Sequence, residues 1–181
     1  FDFKIFRRAL KLINKSHKRK TIVNIGANIG SICVKAVREN FFESAIVFEP
    51  EIMNFRLLMA NIYINELDKK IEAYQLALSD KKKILKLSLN KESNLGDNRI
   101  VTNKIKEKNL KIVKVKSDLL DNYTSNLNKH NTLIFMDVQG HEPNVFRGGK
   151  KTIKKRMPMV FEFMPSLLPK NWIEGFELLF K

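Results

Sequence analysis

The chain has 181 residues, of which 44% are hydrophobic and 29% charged, and a formal net charge of +15. That length suits one domain with a sizeable core. No apolar run is long enough to cross a membrane, and the single cysteine, Cys33, excludes an internal disulfide or a cysteine-based zinc site and fits a reducing cytoplasm.

Along residues 3–14, Phe6, Ala9, Leu10 and Ile13 recur with Lys4, Arg7, Arg8 and Lys11 between them, the pattern of a basic amphipathic helix. Such a helix packs on a domain edge or meets an anionic surface. Residues 1–20 are read as this N-terminal element and 21–181 as a single following domain. Thr21-Ile22-Val23-Asn24-Ile25 then reads as a strand, Gly26-Ala27-Asn28-Ile29-Gly30 as a tight loop, and Ile32, Cys33, Ala36 and Val37 as the inner face of a helix. Gly26 is placed to take a backbone angle other residues resist, and Gly30 to let the helix start pack closely. A second apolar run, Ala45-Ile46-Val47-Phe48, stops at Glu49-Pro50, which puts a carboxylate at the carboxyl end of a neighbouring strand, where it can accept both hydroxyls of a ribose. The two features together describe a nucleoside-binding βαβ unit.

Phe55, Leu58, Met59 and Ile62 predict a helix over residues 52–66, and Ile71 to Ala77 predicts a third strand closing at Leu78-Ser79-Asp80. Ile84, Leu85, Leu87 and Leu89 suggest another strand, and Ile112 to Val115 a short partner for it, with a polar loop from Asn90 to Asn103 between them. This middle section reads as a β-hairpin on the ligand side of the sheet. Leu133-Ile134-Phe135-Met136 has the continuous apolar character of a strand buried on both faces. It ends at Asp137-Val138-Gln139-Gly140-His141-Glu142, and Pro143 opens a helix that Gly148-Gly149 can interrupt. Met159-Val160-Phe161 is one more strand, ending at Glu162, and the tail with Trp172 and Phe176 reads as a last helix. Strands alternating with helices imply an α/β fold, a doubly wound, mostly parallel sheet. Asn24, Glu49, Asp80, Asp137 and Glu162 are then expected at strand ends along one edge.

A glycine-rich turn followed by an acidic strand end serves both nicotinamide or flavin dehydrogenases and S-adenosylmethionine-dependent methyltransferases. The dehydrogenase fingerprint sets a pyrophosphate on the helix start and uses three glycines for it. Here the middle position is Asn28, which favours a ligand without phosphates, adenosylmethionine. No Gly-Lys-Ser/Thr run supports a phosphate-binding P-loop.

The chain resembles the FkbM-type methyltransferases, adenosylmethionine-dependent enzymes of the class I, Rossmann-like fold. The resemblance rests on Asn24 to Gly30, on Phe48-Glu49-Pro50 with Asn54-Phe55, Leu58, Asn61 and Asn65, on Ala77-Leu78-Ser79-Asp80, on Met136 to Glu142 with Val145-Phe146-Arg147-Gly148-Gly149, and on Phe161-Glu162. It implies O-methylation of a hydroxyl on a sugar, glycan or small metabolite. Carried over by position, Gly26, Ala27, Asn28 and Gly30 line the methionine part of the cofactor, Glu49 holds the ribose, and Ser79 with Asp80 borders the adenine; Asn24 is also expected at the cofactor, as a hydrogen-bonding residue. Asn94 and Glu162 are candidates for contact with the acceptor. The class I sheet usually adds a final antiparallel hairpin, which this chain is expected to lack. The family usually has Asp where this chain has Asn24, and Lys where it has Met136.

In-line methyl transfer needs positioning and a group to take the hydroxyl proton; Asp137 and His141 are the candidate catalytic residues. Asp137, His141 and Glu142 lack the spacing of a metal motif, so no metal is expected. The net charge raises an alternative, ribose methylation of RNA. The basic stretches Lys15 to Lys20 and Lys150 to Arg156 have no interleaved aromatics to stack on bases, so a small-molecule or glycan acceptor is expected and no nucleic acid. The changes at Asn24 and Met136 raise another alternative, a non-catalytic binding module on the same fold.

Overall fold

The computed structural model describes residues 3–13, 20–89, 98–101, 111–168 and 171–180. Helix α1 (Phe3–Ile13) leads into strand β1 (Thr21–Ile25), helix α2 (Cys33–Arg38), strand β2 (Ser44–Phe48), helix α3 (Ile52–Ile64) and strand β3 (Ile71–Tyr74). Short strands β4 (Ala77–Leu78) and β6 (Arg99–Ile100) accompany longer β5 (Lys83–Leu89) and β7 (Lys111–Asp118). Strand β8 (Thr132–Met136), helices α4 (Glu142–Gly148) and α5 (Lys150–Lys154), strand β9 (Met159–Phe161) and helix α6 (Trp172–Phe176) complete the order.

The main sheet has five strands in the order β3-β2-β1-β8-β9, every pair parallel. Its direction of winding reverses between β1 and β8, the point where open α/β sheets hold ligands. Successive side chains of β1 face opposite layers. Ile22 joins Phe6 of α1, Ala36 and Val37 of α2, and Leu58 and Ile62 of α3 in one apolar cluster. Val23 and Ile25 join Val145 and Phe146 of α4, Ile153 of α5 and Phe176 of α6 in the other. Each fully buried side chain of this size contributes about 1.5–3 kcal/mol, so both layers hold the strand ends in register. Through Phe6, against the rings of Phe42 and Phe135, α1 is packed into the first of these layers. Among the described residues, no helix is long and apolar enough to cross a membrane.

The expected third strand is divided. It leaves the main sheet after Tyr74, where the Leu76 amide donates to the Tyr74 carbonyl in a tight turn (3.0 Å), and Ala77-Leu78 enter a second sheet, of four strands in the order β4-β7-β5-β6. There β4 runs parallel to β7, while β5 pairs antiparallel with both β7 and β6. Asp80 therefore follows a strand of the second sheet, not the edge shared by Glu49, Asp137 and Glu162, and Asn24 sits within β1, one residue before its end. The helix after Pro143 is broken at Gly149 into α4 and α5, and the tail is a five-residue α6 followed by a 3-10 turn at Glu177–Leu179 instead of one continuous helix. Asn94, with most of the polar loop around it, lies outside the described residues.

Candidate active site

The loop after β1 is shaped by three left-handed residues, Gly26 (φ +78°), Asn28 (φ +52°) and Gly30 (φ +88°). A Cβ on Gly26 would stand 1.9 Å from the Asp137 carbonyl oxygen, so only glycine lets the ends of β1 and β8 come this close. Gly30 serves a different contact: a Cβ there would meet the Leu58 side chain of α3 at 2.7 Å. The amides of Gly26 and Ala27 both donate to the Phe48 carbonyl, at 3.0 and 2.9 Å, tying the loop to the end of β2.

Glu49 follows directly. Its Oε2 accepts from the Asn28 amide at 2.8 Å and its Oε1 from the Glu51 amide at 2.9 Å. Glu49 is only 5% exposed, and that burial pushes its carboxyl up to about 7, against the pull of the two amide donors and the Asn54 side chain. A carboxylate oxygen accepts more than one hydrogen bond, so both oxygens retain capacity toward a ligand.

These groups form one wall of a cleft that is partly open to solvent. Ile25, Gly26, Asn28, Phe48 and Glu49 line it from β1 and β2, Asp137 and His141 from beyond β8, and Ala77, Leu78, Leu87 and Ile100 from the second sheet. That apolar strip was not legible as a site in the sequence, because alternating hydrophobic residues in a strand do not say what they cover. Of the residues singled out from sequence, Gly26, Asn28, Glu49, Asp137 and His141 line the cleft. Asn24, Ala27, Gly30, Ser79, Asp80 and Glu162 lie outside its wall.

Each of those six has a definable place. Asn24 is buried, and its Oδ1 has no hydrogen-bond partner among the described residues. Ser79 is fully buried, and Asp80 is held by the Ser79 hydroxyl at 3.0 Å and the Lys83 ammonium at 2.9 Å, which keep its carboxyl below the usual range although burial pushes the other way. Glu162 stands beside the cleft: the Gln139 side-chain amide donates to Asp137 Oδ1 at 2.7 Å and to Glu162 Oε2 at 2.8 Å. Burial and the neighbouring Asp137 charge raise the Glu162 carboxyl. Gln139 itself takes a left-handed backbone (φ +50°), and sequence reading had given it no role.

His141 is buried at the start of α4, and both ring nitrogens are engaged. Arg147 Nη1 donates to Asn144 Oδ1 (3.0 Å), which leaves the Asn144 Nδ2 group to donate to His141 Nδ1 (3.1 Å). Nε2 then carries the proton and donates to Ser79 Oγ (3.0 Å), which donates to Asp80. Desolvation pushes the imidazole down to about 4, so the ring is neutral at pH 7. Burial likewise pushes the Cys33 thiol up to about 12, in keeping with a packing role.

A parallel doubly wound sheet with a carboxylate-braced loop at its switch point has the architecture of class I methyltransferases. The chain belongs to the FkbM methyltransferase family, whose Methyltransferase FkbM domain it matches over residues 24–179. The FkbM methyltransferase of Methylobacillus flagellatus KT superposes with a TM-score of 0.56 at 14% identity, over 92% of this chain and 36% of that one. This chain thus spans about a third of the length of that relative. The METTL16 methyltransferase domain (TM-score 0.49, 12% identity, 86% of this chain and 48% of that one) and the B. subtilis M1A22 tRNA methyltransferase TrmK (TM-score 0.46, 10% identity, the same shares) are also similar. No curated protein matches the chain.

Proposed function

We propose that this chain binds S-adenosylmethionine in the cleft between β1, β2 and the second sheet and serves O-methylation of a hydroxyl on a sugar, glycan or small metabolite. The observation that carries this reading is Glu49, a buried carboxylate anchored to the Asn28 and Glu51 amides with acceptor capacity left toward the cleft. The residues present fit the cofactor. Glu49 suits a ribose, Leu78, Leu87 and Ile100 offer an apolar wall for a base, and Asn28 Oδ1, buried with no hydrogen-bond partner among the described residues, lacks a donor that an ammonium could supply.

When bound, adenosylmethionine supplies an electrophilic methyl group on a sulfonium. Asp137 lines the same cleft as Glu49, and its carboxylate accepts the acceptor's hydroxyl proton. Gln139 fixes that carboxylate through Oδ1, and the adjacent Glu162 offers a second acceptor for a polyhydroxylated substrate. His141, neutral and bonded at both nitrogens, positions Ser79 and the start of α4 and does not itself take the proton.

Transfer of labelled methyl from adenosylmethionine to a panel of sugars, glycans and small alcohols tests this reading. Turnover on one such acceptor, lost in Asp137→Asn, is expected. Turnover on RNA alone, or full activity in Asp137→Asn, would overturn it.

A further inference from the structure

The second sheet shows its apolar face to the cleft and an unusual face to solvent. On that face stand Lys86, Arg99, Lys114 and Lys116; Lys83 and Lys111 fall on the other side with Leu85 and Leu89, and Lys83 pairs with Asp80. The one carboxylate within the strands is Asp118. Asp118 is already engaged by the Leu119 amide and the Asn122 and Tyr123 side chains. The chain as a whole has 34 basic and 19 acidic residues, so the sheet exceeds the general bias.

Register places these cations. Lys86 lies directly opposite Lys114, and Lys116 opposite Ile84, on the face away from buried Leu85, Leu87 and Val115. Like charges directly opposite each other destabilise a sheet. Lysines on edge strands protect against aggregation, and β4 covers only Ser117 and Asp118 of β7, so Lys114 and Lys116 also fit that role; it does not account for the exposed isoleucines beside them. Among the described residues, none of Lys86, Lys114 and Lys116 pairs with a carboxylate. Two isoleucines share the face at diagonal corners around the Lys86–Lys114 pair: Ile84 is 58% exposed and Ile112 54%.

We propose that this face docks on an anionic phospholipid surface. Lysines attract the headgroups while their stems lie along the interface, and Ile84 and Ile112 bury into the headgroup boundary. A nucleic acid would use the lysines but leave both isoleucines without a counterpart, and the face offers no aromatic ring to stack on bases. Helix α1 is a weaker candidate for the same partner, since Phe6 on its apolar side is already buried in the core. Because the opposite side of β5 and β6 lines the cleft through Leu87 and Ile100, docking would hold the cleft within a strand's thickness of the bilayer surface.

The test is co-sedimentation of the chain with vesicles of phosphatidylcholine alone and of equal parts phosphatidylcholine and phosphatidylglycerol. Binding to the anionic vesicles only is expected. Combining Lys86→Gln, Lys114→Gln and Lys116→Gln is expected to lower the partition coefficient by about 100-fold, roughly fivefold for each lysine. Combining Ile84→Ser with Ile112→Ser is expected to cost about tenfold and to remove the binding that survives at about 0.5 M salt. The glutamine substitutions relieve a like-charge pair, so an unchanged or raised melting temperature confirms that the variant is folded. No vesicle binding by the wild type, equal binding by the triple variant, or tighter binding to an RNA duplex that displaces the vesicles would each overturn the proposal. Adenosylmethionine binding is measured on the same samples and stands or falls separately.

Discussion

Glu49 is expected to couple cofactor binding to pH. Its carboxyl titrates at about 7 in the free protein, because burial outweighs the amide donors of Asn28 and Glu51. At pH 6 about nine tenths of the molecules then carry a neutral Glu49, and at pH 8 about one tenth. Ribose hydroxyls donate best to the ionised form, so binding draws the group into that form. Affinity for adenosylhomocysteine is expected to rise about tenfold from pH 6 to pH 8, some 1.4 kcal/mol, with about half a proton released per ligand near pH 7. Calorimetric titration in two buffers of different ionisation enthalpy reads both quantities. Glu49→Gln is expected to bind more weakly at pH 8 and with no pH slope. A wild-type affinity that is flat across this range, or the same slope in Glu49→Gln, would refute the reasoning. The stability of the free protein moves oppositely. A folded-state value above the ordinary 4.5 gives a contribution fully present below about pH 4.5 and lost as pH rises through about 7.

His141 carries the reverse sign. Its folded value of about 4 lies below the ordinary 6.5, so its contribution is present above about pH 6.5 and is lost as pH falls toward 4. Urea unfolding is expected to show about 2 kcal/mol less stability at pH 5 than at pH 7 from this group, and His141→Gln to lose that part of the slope; an unchanged slope would contradict the buried neutral ring. Gly26→Ala forces both a left-handed alanine and a 1.9 Å clash with the Asp137 carbonyl, and is expected to cost about 3 kcal/mol or more in the same assay. Gly148→Ala meets the Ser79 carbonyl at 2.0 Å and is expected to behave alike, by prying α4 from β4. Asp137→Asn is expected to lower turnover about 10²–10⁴-fold while adenosylhomocysteine affinity stays within about twofold; an equal fall in both would assign Asp137 to binding instead of proton transfer.

The main sheet was legible because its strands are buried on both faces: Leu133 to Met136 and Ile22 to Ile25 are nearly continuous apolar runs that end at turn residues. Gly26 and Glu49 were legible because each does something few residue types can do at that place, a left-handed close approach and a carboxylate at a strand end. The second sheet's role was not. Ile71 to Leu78 keeps one β-like pattern through the turn at Leu76, and nothing local marks the change of partner strand. The family resemblance sets Ser79 and Asp80 beside the adenine; the structure adds that they terminate the hydrogen-bond chain from Arg147 through Asn144 and His141. The role of Gln139 has no local signal, because a glutamine between two carboxylates acts only once β8 and β9 lie side by side, a contact separated by 23 residues in sequence.

The central claim is that this cleft holds adenosylmethionine through Glu49. Calorimetric titration of adenosylmethionine into the wild type and Glu49→Ala tests it most directly. The account predicts one site with a dissociation constant below about 1 mM in the wild type, weakened at least about tenfold in the variant. A folded wild type that binds no adenosylmethionine, or a variant that binds it equally well, would contradict the account.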